Sequence, residues 1–254
     1  MILDSFRLNG KVALVTGSNR GLGQGAALAL AEAGADIALL ERSAGGETAA
    51  RIKALGRRVH TVHADLSTAT AESLAAAVTE VIDVLGTVDI LVNNAGTIRR
   101  APAVDYSVAE WNEVLTVNLD AVFHLSQATG RHMIGKGGGR IINVASMLSF
   151  QGGVLVPAYT ASKHAVAGLT KALANEWAAS GVTVNAIAPG YMATDNTAAI
   201  RDDADRESAI LARIPSGRWG TPTDLQGAFV FLASDAAAYV TGAVIPVDGG
   251  WLAR

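Results

Sequence analysis

The chain has 254 residues, 50% of them hydrophobic, and it contains no cysteine. This length suits one domain with a substantial core, and the lack of thiols excludes disulfide bonds, thiolate zinc sites and a cysteine nucleophile. A net charge of −3 with scattered lysines and arginines argues against nucleic acid or an anionic membrane as the main partner. With no signal-peptide pattern and no long apolar run, we expect a cytoplasmic protein.

Short apolar runs typical of strands alternate with helical segments along the chain. The predicted strands lie at residues 11–16, 36–40, 58–64, 89–93, 140–144, 182–188 and 243–247, and the first helix at residues 21–33. Strands rich in valine, isoleucine and leucine and separated by helices are typical of a parallel sheet covered on both faces. The pattern predicts a single α/β domain, residues 1–254, with a doubly wound Rossmann-type sheet.

Residues 190–220 are the least regular part of the pattern, with Pro215, Gly217 and several charged side chains. Loops at the carboxyl edge of a doubly wound sheet line the ligand crevice. We therefore expect residues 190–220 to form a mobile lid over the site. A surface insertion is the alternative.

A glycine-rich turn follows the first predicted strand, with the spacing Gly17-x-x-x-Gly21-x-Gly23. Glycines let the backbone approach a pyrophosphate closely, and the helix that follows offers its N-terminal amides. The position between a strand and a helix predicts a dinucleotide site. The turn also contributes Asn19, Arg20 and Leu22.

The choice between NAD and NADP depends on charges around the adenosine ribose. Glu41 follows the second strand, where a carboxylate can accept hydrogen bonds from the ribose and repel a 2′-phosphate. Arg20 and Arg42 could instead pair with such a phosphate. The sequence favours NAD and leaves NADP open.

Two further strand ends supply candidate coenzyme residues. Asp65, which precedes Leu66, can bond the adenine amino group or cap a helix that begins at Leu66. The fourth strand ends in a turn that contains Asn93, Ala95 and Gly96, where the chain can bend close to a ribose. A simple strand-ending turn is the alternative for that segment.

Tyr159 and Lys163 lie four residues apart on a predicted helix, thirteen residues after Ser146. This spacing places phenol and ammonium on one face, where the cation lowers the free energy of the phenolate. Such a pair can move a proton on or off an alcohol oxygen. Tyr-x-x-x-Lys alone is common on solvated helices, but the glycine turn in the same chain favours the catalytic interpretation.

Together with Asn118 and the Pro189-Gly190 pair, these motifs resemble the short-chain dehydrogenase/reductases over essentially the whole chain. The resemblance implies that Tyr159 exchanges a proton with the substrate oxygen, to which Ser146 donates a hydrogen bond. Lys163 would bond the nicotinamide ribose and lower the pKa of Tyr159. Asn118 would hold a proton-relay water.

The same resemblance extends the coenzyme site beyond the sixth strand. Thr194 would bond the nicotinamide carboxamide, and Pro189, Gly190 and Met192 would lie around the ring. The family also implies a homotetramer, with the helices around Trp111 and Trp177 as packing surfaces.

Five further stretches resemble members of the family that act on sugar acids, namely residues 98–100, 146–153, 188–194, 213–220 and 247–254. The implied reaction interconverts a secondary alcohol and a ketone on a deoxy sugar acid with NAD(H). Its carboxylate needs a cation, for which Arg99 and Arg100 are the candidates, with Arg213 and Arg218 behind them. Gln151 and Met192 would line the pocket.

A 3-oxoacyl carrier-protein reductase that uses NADPH is the main alternative, because it would share the catalytic residues. Its acidic carrier would need a basic patch, whereas residues 201–218 mix arginines with aspartates and a glutamate. A non-catalytic nucleotide sensor is a remote alternative, because all four catalytic positions are present. No metal site is predicted, since His60 and His63 lack further ligands nearby in the sequence.

Overall fold

The computed structural model describes residues 1–43 and 46–254, apart from the side chain of residue 196. Within these residues, seven strands form one parallel sheet in the order β3-β2-β1-β4-β5-β6-β7. The strands are β1 (Val12–Thr16), β2 (Asp36–Glu41), β3 (Val59–His63), β4 (Ile90–Asn93), β5 (Gly139–Val144), β6 (Val182–Pro189) and β7 (Val244–Val247).

Nine α-helices connect or follow these strands in the described part of the chain. They are α1 (Gly21–Glu32), α2 (Gly46–Ala54), α3 (Ala71–Leu85), α4 (Val108–Leu115), α5 (Ala121–Gly135), α6 (Pro157–Trp177), α7 (Ala198–Arg201), α8 (Ala204–Leu211) and α9 (Pro222–Ala233). A π-helical segment, Thr116–Asp120, joins α4 to α5.

The two faces of the sheet bury separate hydrophobic cores. In β1, Ala13 and Val15 pack on one face and Val12 and Leu14 on the other, because successive side chains of a strand point to opposite faces. The core that contains Ala13 includes residues of α1 and α9, and the opposite core includes residues of α3, α5 and α6. The doubly wound α/β fold predicted from the apolar runs is therefore confirmed.

The strand order also positions the site. The chain winds outward from β1 to β3 and then returns to place β4 on the other side of β1. Ligands bind such sheets at this switch point, beyond the carboxyl ends of the strands. The glycine turn after β1 and the asparagine turn after β4 both lie there.

One boundary differs from the prediction. Residues 66–68 form a turn, and α3 begins at Ala71 rather than Leu66. Thr70 is the N-cap because its side chain accepts a hydrogen bond from the Ser73 amide at 3.2 Å. Asp65 instead accepts hydrogen bonds from the amide and hydroxyl of Ser67, at 2.9 and 2.7 Å. The aspartate therefore closes a local turn and does not cap a helix.

Residues 190–220 contain more regular structure than the sequence pattern indicates. The helices α7 and α8 lie in this segment, after a short 3₁₀ helix, Asp195–Thr197. The mobility of this segment, called the lid below, stays a prediction. Among the described residues, no helix combines the length and apolar character needed to cross a membrane.

Candidate active site

The glycine turn is locked onto the end of β4 by Asn94. Its side-chain amide donates to the carbonyl oxygens of Thr16 and Gly17, at 2.9 and 3.2 Å. In return, the Thr16 hydroxyl oxygen accepts the backbone amides of Asn94 and Ala95, at 3.0 and 2.9 Å. Asn94 therefore holds the ends of β1 and β4 together at the switch point.

The backbone of the turn requires glycine. Gly17 and Gly21 have φ angles of +61° and +57°, which side chains disfavour, and a Cβ at Gly23 would clash with the Gly17 carbonyl. Arg20 is the N-cap of α1, and no side chain in the described chain caps this helix end. Its first amides therefore face an open turn that suits a pyrophosphate. All six predicted turn residues lie here, namely Gly17, Asn19, Arg20, Gly21, Leu22 and Gly23.

Glu41, at the end of β2, is 2% exposed. Its Oε1 accepts a hydrogen bond from the Ser18 hydroxyl at 3.1 Å, whereas its Oε2 is buried without a partner among the described residues. A buried carboxylate oxygen left unpaired is unfavourable, so this atom is suited to accept a hydroxyl from outside the protein. A ribose hydroxyl at this position fits the residues present.

The cations near Glu41 differ in their contacts. Arg20 forms an ion pair with Asp195 of the lid, with 2.9 Å between Nη1 and Oδ2. Arg42 is exposed, and its charge adds to the Ser67 hydrogen bonds that lower the pKa of Asp65.

Two other predicted coenzyme residues, Asn93 and Leu66, have buried side chains. The Asn93 amide is buried and donates to Ser126 Oγ and Asn143 Oδ1, at 3.1 and 2.9 Å. Leu66 is 8% exposed within the core. These two side chains shape the site from the interior, while Ala95 and Gly96 remain half-buried or exposed at the strand end.

At the end of β6, close backbone packing accounts for the predicted Pro189-Gly190 pair. The Gly190 amide donates to the Val247 carbonyl at 3.0 Å, and a Cβ at Gly190 would lie 2.6 Å from Asp248 Cα. Thr194 lies near the glycine turn, since its Cγ2 is 3.9 Å from the position of a Cβ at Gly21.

Met192 and Gln151 were both predicted to line the substrate pocket. Met192 is 5% exposed, belongs to the core and pairs with Gly220 in an isolated β-bridge. The Met192 side chain is therefore largely buried within the lid, and its place at the substrate pocket stays a prediction. Gln151 is half-buried in the segment between Ser146 and α6.

Ser146, Tyr159 and Lys163 meet at the end of β5. Ser146 follows this strand, and Tyr159 and Lys163 occupy successive turns at the start of α6. The Lys163 ammonium lies 5.5 Å from the centroid of the Tyr159 ring and donates to the Val144 carbonyl at 2.6 Å. The i, i+4 spacing thus does place phenol and ammonium on one face of the helix.

The electrostatics of the pair differ from the expectation. Burial raises the pKa of Tyr159, against a hydrogen bond with Ser146 and the charge of Arg100, which both lower it. Burial also lowers the pKa of Lys163 to about 8. Desolvation of the phenolate is the largest effect and outweighs the other two, so the net shift of the Tyr159 pKa is opposite to the lowering that the resemblance implied.

Asn118 lies in the π-helical segment, a feature found frequently at functional sites. Its Oδ1 accepts the Thr97 amide at 2.8 Å, and its Nδ2 donates to the Thr97 carbonyl at 2.9 Å and to Ser162 Oγ at 3.2 Å. The side chain therefore ties the loop after β4 to α6, the helix that carries Tyr159 and Lys163. Nothing in the sequence pattern indicates the π-helical turn.

The four candidate carboxylate-binding arginines differ in their contacts. Arg99 forms a two-point ion pair with Glu113, with distances of 3.0 and 2.6 Å, and Arg218 does so with Asp224, at 2.8 and 2.7 Å. Arg213 lies over the Trp251 ring, 4.0 Å from its centroid, and forms no ion pair within the described chain. Arg100 acts electrostatically on Tyr159.

Trp251 supports Arg213 through an aromatic cluster. Tyr191 packs edge-on against Trp251 and Trp219, with ring centroids 4.8 and 5.4 Å apart. Trp251 also joins Met147, the neighbour of Ser146, in one buried cluster. Arg213 thus lies on a tryptophan whose buried cluster extends to Met147, the residue after Ser146. No sequence pattern indicates that Trp251 supports Arg213.

His60 pairs with Glu80 at 2.7 Å. Across the described residues, no group of three or more histidine, aspartate or glutamate side chains could hold a metal ion.

A glycine turn at the switch point of a parallel sheet, with tyrosine and lysine one helical turn apart beside a serine, defines a dinucleotide-dependent oxidoreductase. The chain belongs to the short-chain dehydrogenase/reductase family, as the resemblance implied, and acts on a CH–OH group. The matching family model, described as Enoyl-(Acyl carrier protein) reductase, covers residues 17–252.

Full-length relatives place the chain more closely. It is 56% identical to the 2-dehydro-3-deoxy-D-gluconate 5-dehydrogenase of Dickeya dadantii (strain 3937), over 100% of both chains. A crystal structure of a putative 2-deoxy-D-gluconate 3-dehydrogenase from Agrobacterium tumefaciens with bound NADP is 53% identical, with a TM-score of 0.92. It covers 98% of this chain and 99% of its own. The 3-oxoacyl-[acyl-carrier-protein] reductase of Vibrio harveyi is 42% identical, over 96% of this chain and 98% of its own.

Proposed function

We propose that this enzyme interconverts the secondary alcohol and ketone of a deoxy sugar acid, 2-dehydro-3-deoxy-D-gluconate, with NAD(H). The arrangement of Ser146, Tyr159 and Lys163 at the end of β5 supports the reaction type. The full-length identity of 56% to a relative that carries this substrate in its name supports the substrate class.

The chain supplies the proton chemistry at the substrate oxygen. In the reduction direction, the Tyr159 hydroxyl donates its proton to the substrate oxygen, which also accepts a hydrogen bond from Ser146. In oxidation, the Tyr159 phenolate accepts the proton of the substrate hydroxyl. A nicotinamide coenzyme, when bound beyond the glycine turn, would supply the hydride acceptor for the alcohol carbon. Lys163 fixes the tyrosine face of α6 through its bond to Val144 and supplies positive charge beside the phenol.

Glu41 supports NAD as the coenzyme. Its unpaired Oε2 can accept a ribose hydroxyl, and its buried charge opposes a 2′-phosphate at the same place. The NADP in the Agrobacterium structure shows that a related site accepts the phosphorylated coenzyme. The preference is therefore a matter of relative affinity, which side-by-side assays measure.

Arg213 is the candidate for the substrate carboxylate. Arg99 and Arg218 already hold carboxylates of this chain, and the hydrogen bonds of Arg218 keep the pKa of Asp224 well below its ordinary value. Arg213, a lid residue, has no ion-pair partner in the described chain and lies over the ring of Trp251. Two-point binding of a carboxylate is the interaction for which a supported guanidinium is suited.

The experiment that tests this function measures initial rates of nicotinamide absorbance change with 2-dehydro-3-deoxy-D-gluconate and either NAD⁺ or NADP⁺. An acetoacetyl thioester with NADPH is the counter-assay, because the Vibrio relative is 42% identical. Faster oxidation of the sugar acid with NAD⁺ is the expected result. Turnover of the thioester alone would assign the chain to the acyl reductases.

A homotetramer and a cytoplasmic location remain predictions from the sequence. Trp111 on α4 is 38% exposed, next to Val108 at 75%, which gives an apolar surface suited to subunit packing. Trp177 is 9% exposed within the core, so it packs inside the subunit. Light scattering at several protein concentrations measures the assembly.

A further inference from the structure

An ion pair joins the glycine turn to the lid. The Arg20 guanidinium and the Asp195 carboxylate approach to 2.9 Å, although the two residues are 175 positions apart in the chain. Both side chains are largely exposed, 69% and 73%, so the pair adds little to folding stability. Its location at the coenzyme turn therefore calls for a role other than holding the fold.

The turn lies between two carboxylates of different character. Glu41 is buried and bonded to Ser18 on the β2 side. Asp195 is carried by the lid and directly follows Thr194, which approaches Gly21. The Glu41 carboxylate thus lies in the core, whereas the Asp195 carboxylate belongs to the lid, which contains α7 and α8.

The charges have opposite consequences for the two coenzymes. Arginine is the side chain best suited to bind a phosphate, and Arg20 is the cation of the glycine turn. Asp195 already occupies its guanidinium. A coenzyme with a 2′-phosphate must displace this carboxylate or approach its charge, whereas NAD need do neither.

The geometry points to Asp195 as a coenzyme-selecting residue, which withholds Arg20 from a 2′-phosphate and thereby favours NAD. This inference rests on the NAD preference proposed above. The lid segment, and not only the end of β2, then contributes to the choice of coenzyme.

The same ion pair connects lid position to the coenzyme turn. The Arg201 side chain of α7 donates to the Thr194 carbonyl at 3.3 Å, so α7 is linked to the residue beside Asp195. Loss of the pair should loosen α7 and α8. This consequence is measurable without any coenzyme.

Calorimetric binding of NAD⁺ and NADP⁺ to wild type, Asp195→Asn, Arg20→Ala and the double variant tests the selection. Asp195→Asn removes the charge and keeps the shape of the side chain. We expect it to raise NADP⁺ affinity about fivefold, the size of a lost competing surface pair, with NAD⁺ affinity unchanged. In the Arg20→Ala background, Asp195→Asn should leave NADP⁺ affinity unchanged.

Asp202→Asn is the matched control. Asp202 is exposed at the end of α7 and has no side-chain partner in the described chain, so its removal changes the lid charge equally. An equal rise in NADP⁺ affinity with this control, or in the Arg20→Ala background, would mean a general charge effect and overturn the inference. Unchanged NADP⁺ affinity of Asp195→Asn would also overturn it.

Hydrogen exchange of Ala198–Arg201 and Ala204–Leu211 without coenzyme tests the connection to the lid. Asp195→Asn and Arg20→Ala should each speed the exchange of these helices. The variant with both substitutions should exchange no faster than either one. Exchange equal to that of wild type in both single variants would overturn the link. If wild type binds NADP⁺ more tightly than NAD⁺, the proposed NAD preference fails, while the coupling between Arg20 and Asp195 is still measured by the same cycle.

Discussion

The Lys163 ammonium donates a 2.6 Å hydrogen bond to the carbonyl oxygen of Val144, the last residue of β5. This bond ties α6 to the carboxyl edge of the sheet. Lys163 is 5% exposed, so its charged form loses most of its hydration in the folded protein. Burial of this lysine therefore makes the free energy of unfolding depend on pH.

Stability should rise with pH through the titration of Lys163. Burial lowers its pKa from 10.5 to about 8, so between these values the unfolded chain holds a proton that the folded chain has released. Raising the pH through this window favours the folded state by up to about 3 kcal/mol. Below a pH of about 8 both states are protonated, and the full cost of burying the charge is present.

Urea unfolding of wild type and Lys163→Met isolates this effect. The measurements run from pH 7.5 to 10 in steps of about half a pH unit. As the pH rises, the free energy of unfolding of wild type should increase relative to that of Lys163→Met. Lys171→Met removes an exposed lysine from the same helix and should give a difference that stays constant. A constant difference for Lys163→Met as well would show that burial does not control its titration.

Tyr159→Phe should reduce turnover by about 10²- to 10⁴-fold, the usual contribution of a general acid or base. Removal of one hydroxyl leaves the glycine turn and Glu41 untouched, so NAD⁺ affinity measured by calorimetry should stay near that of wild type. Tyr239→Phe removes the hydroxyl of a fully exposed tyrosine and should leave the rate unchanged. Wild-type turnover in Tyr159→Phe would exclude the acid/base role.

Much of the fold was predictable because strands of a parallel sheet are buried on both faces and appear as continuous apolar runs. β6 and β7 begin and end within one residue of their predicted limits. The helix expected at Leu66 was wrong, because Asp65 satisfies a local turn as readily as a helix end. A capping residue alone does not distinguish the two.

The site was predictable where a backbone or spacing constraint acts on consecutive residues, as in the glycine turn and the Tyr159–Lys163 pair. The ion-pair partners of long side chains were not predictable, because they depend on which residues meet in the folded chain. Arg99 meets Glu113 one helix later, and Arg20 meets Asp195 across the domain. No pattern of single residues indicates which exposed arginine is already paired.

Gly130→Ala should destabilise the fold by about 1 to 3 kcal/mol, as overpacking of a filled core does. A Cβ at Gly130 on α5 would lie 2.9 Å from Cη2 and Cζ3 of Trp177, whose ring is buried against α5. Gly135→Ala on the same helix meets no atom within 4 Å and should stabilise by about 0.5 kcal/mol. Urea midpoints at one pH compare the variants, and equal midpoints would show that Trp177 yields without strain.

Arg213→Ala should raise the Michaelis constant for a sugar acid at least about tenfold, because it removes a charge-assisted contact with the carboxylate. Arg99→Ala should leave that constant near wild type, since Arg99 already binds Glu113 at 2.6 and 3.0 Å. NAD⁺ affinity should be unchanged in both variants, which separates loss of substrate binding from damage to the coenzyme site. The reverse pattern, with Arg99→Ala raising the constant and Arg213→Ala silent, would assign the carboxylate to the loop after β4 and leave the lid arginine as a partner of Trp251 alone.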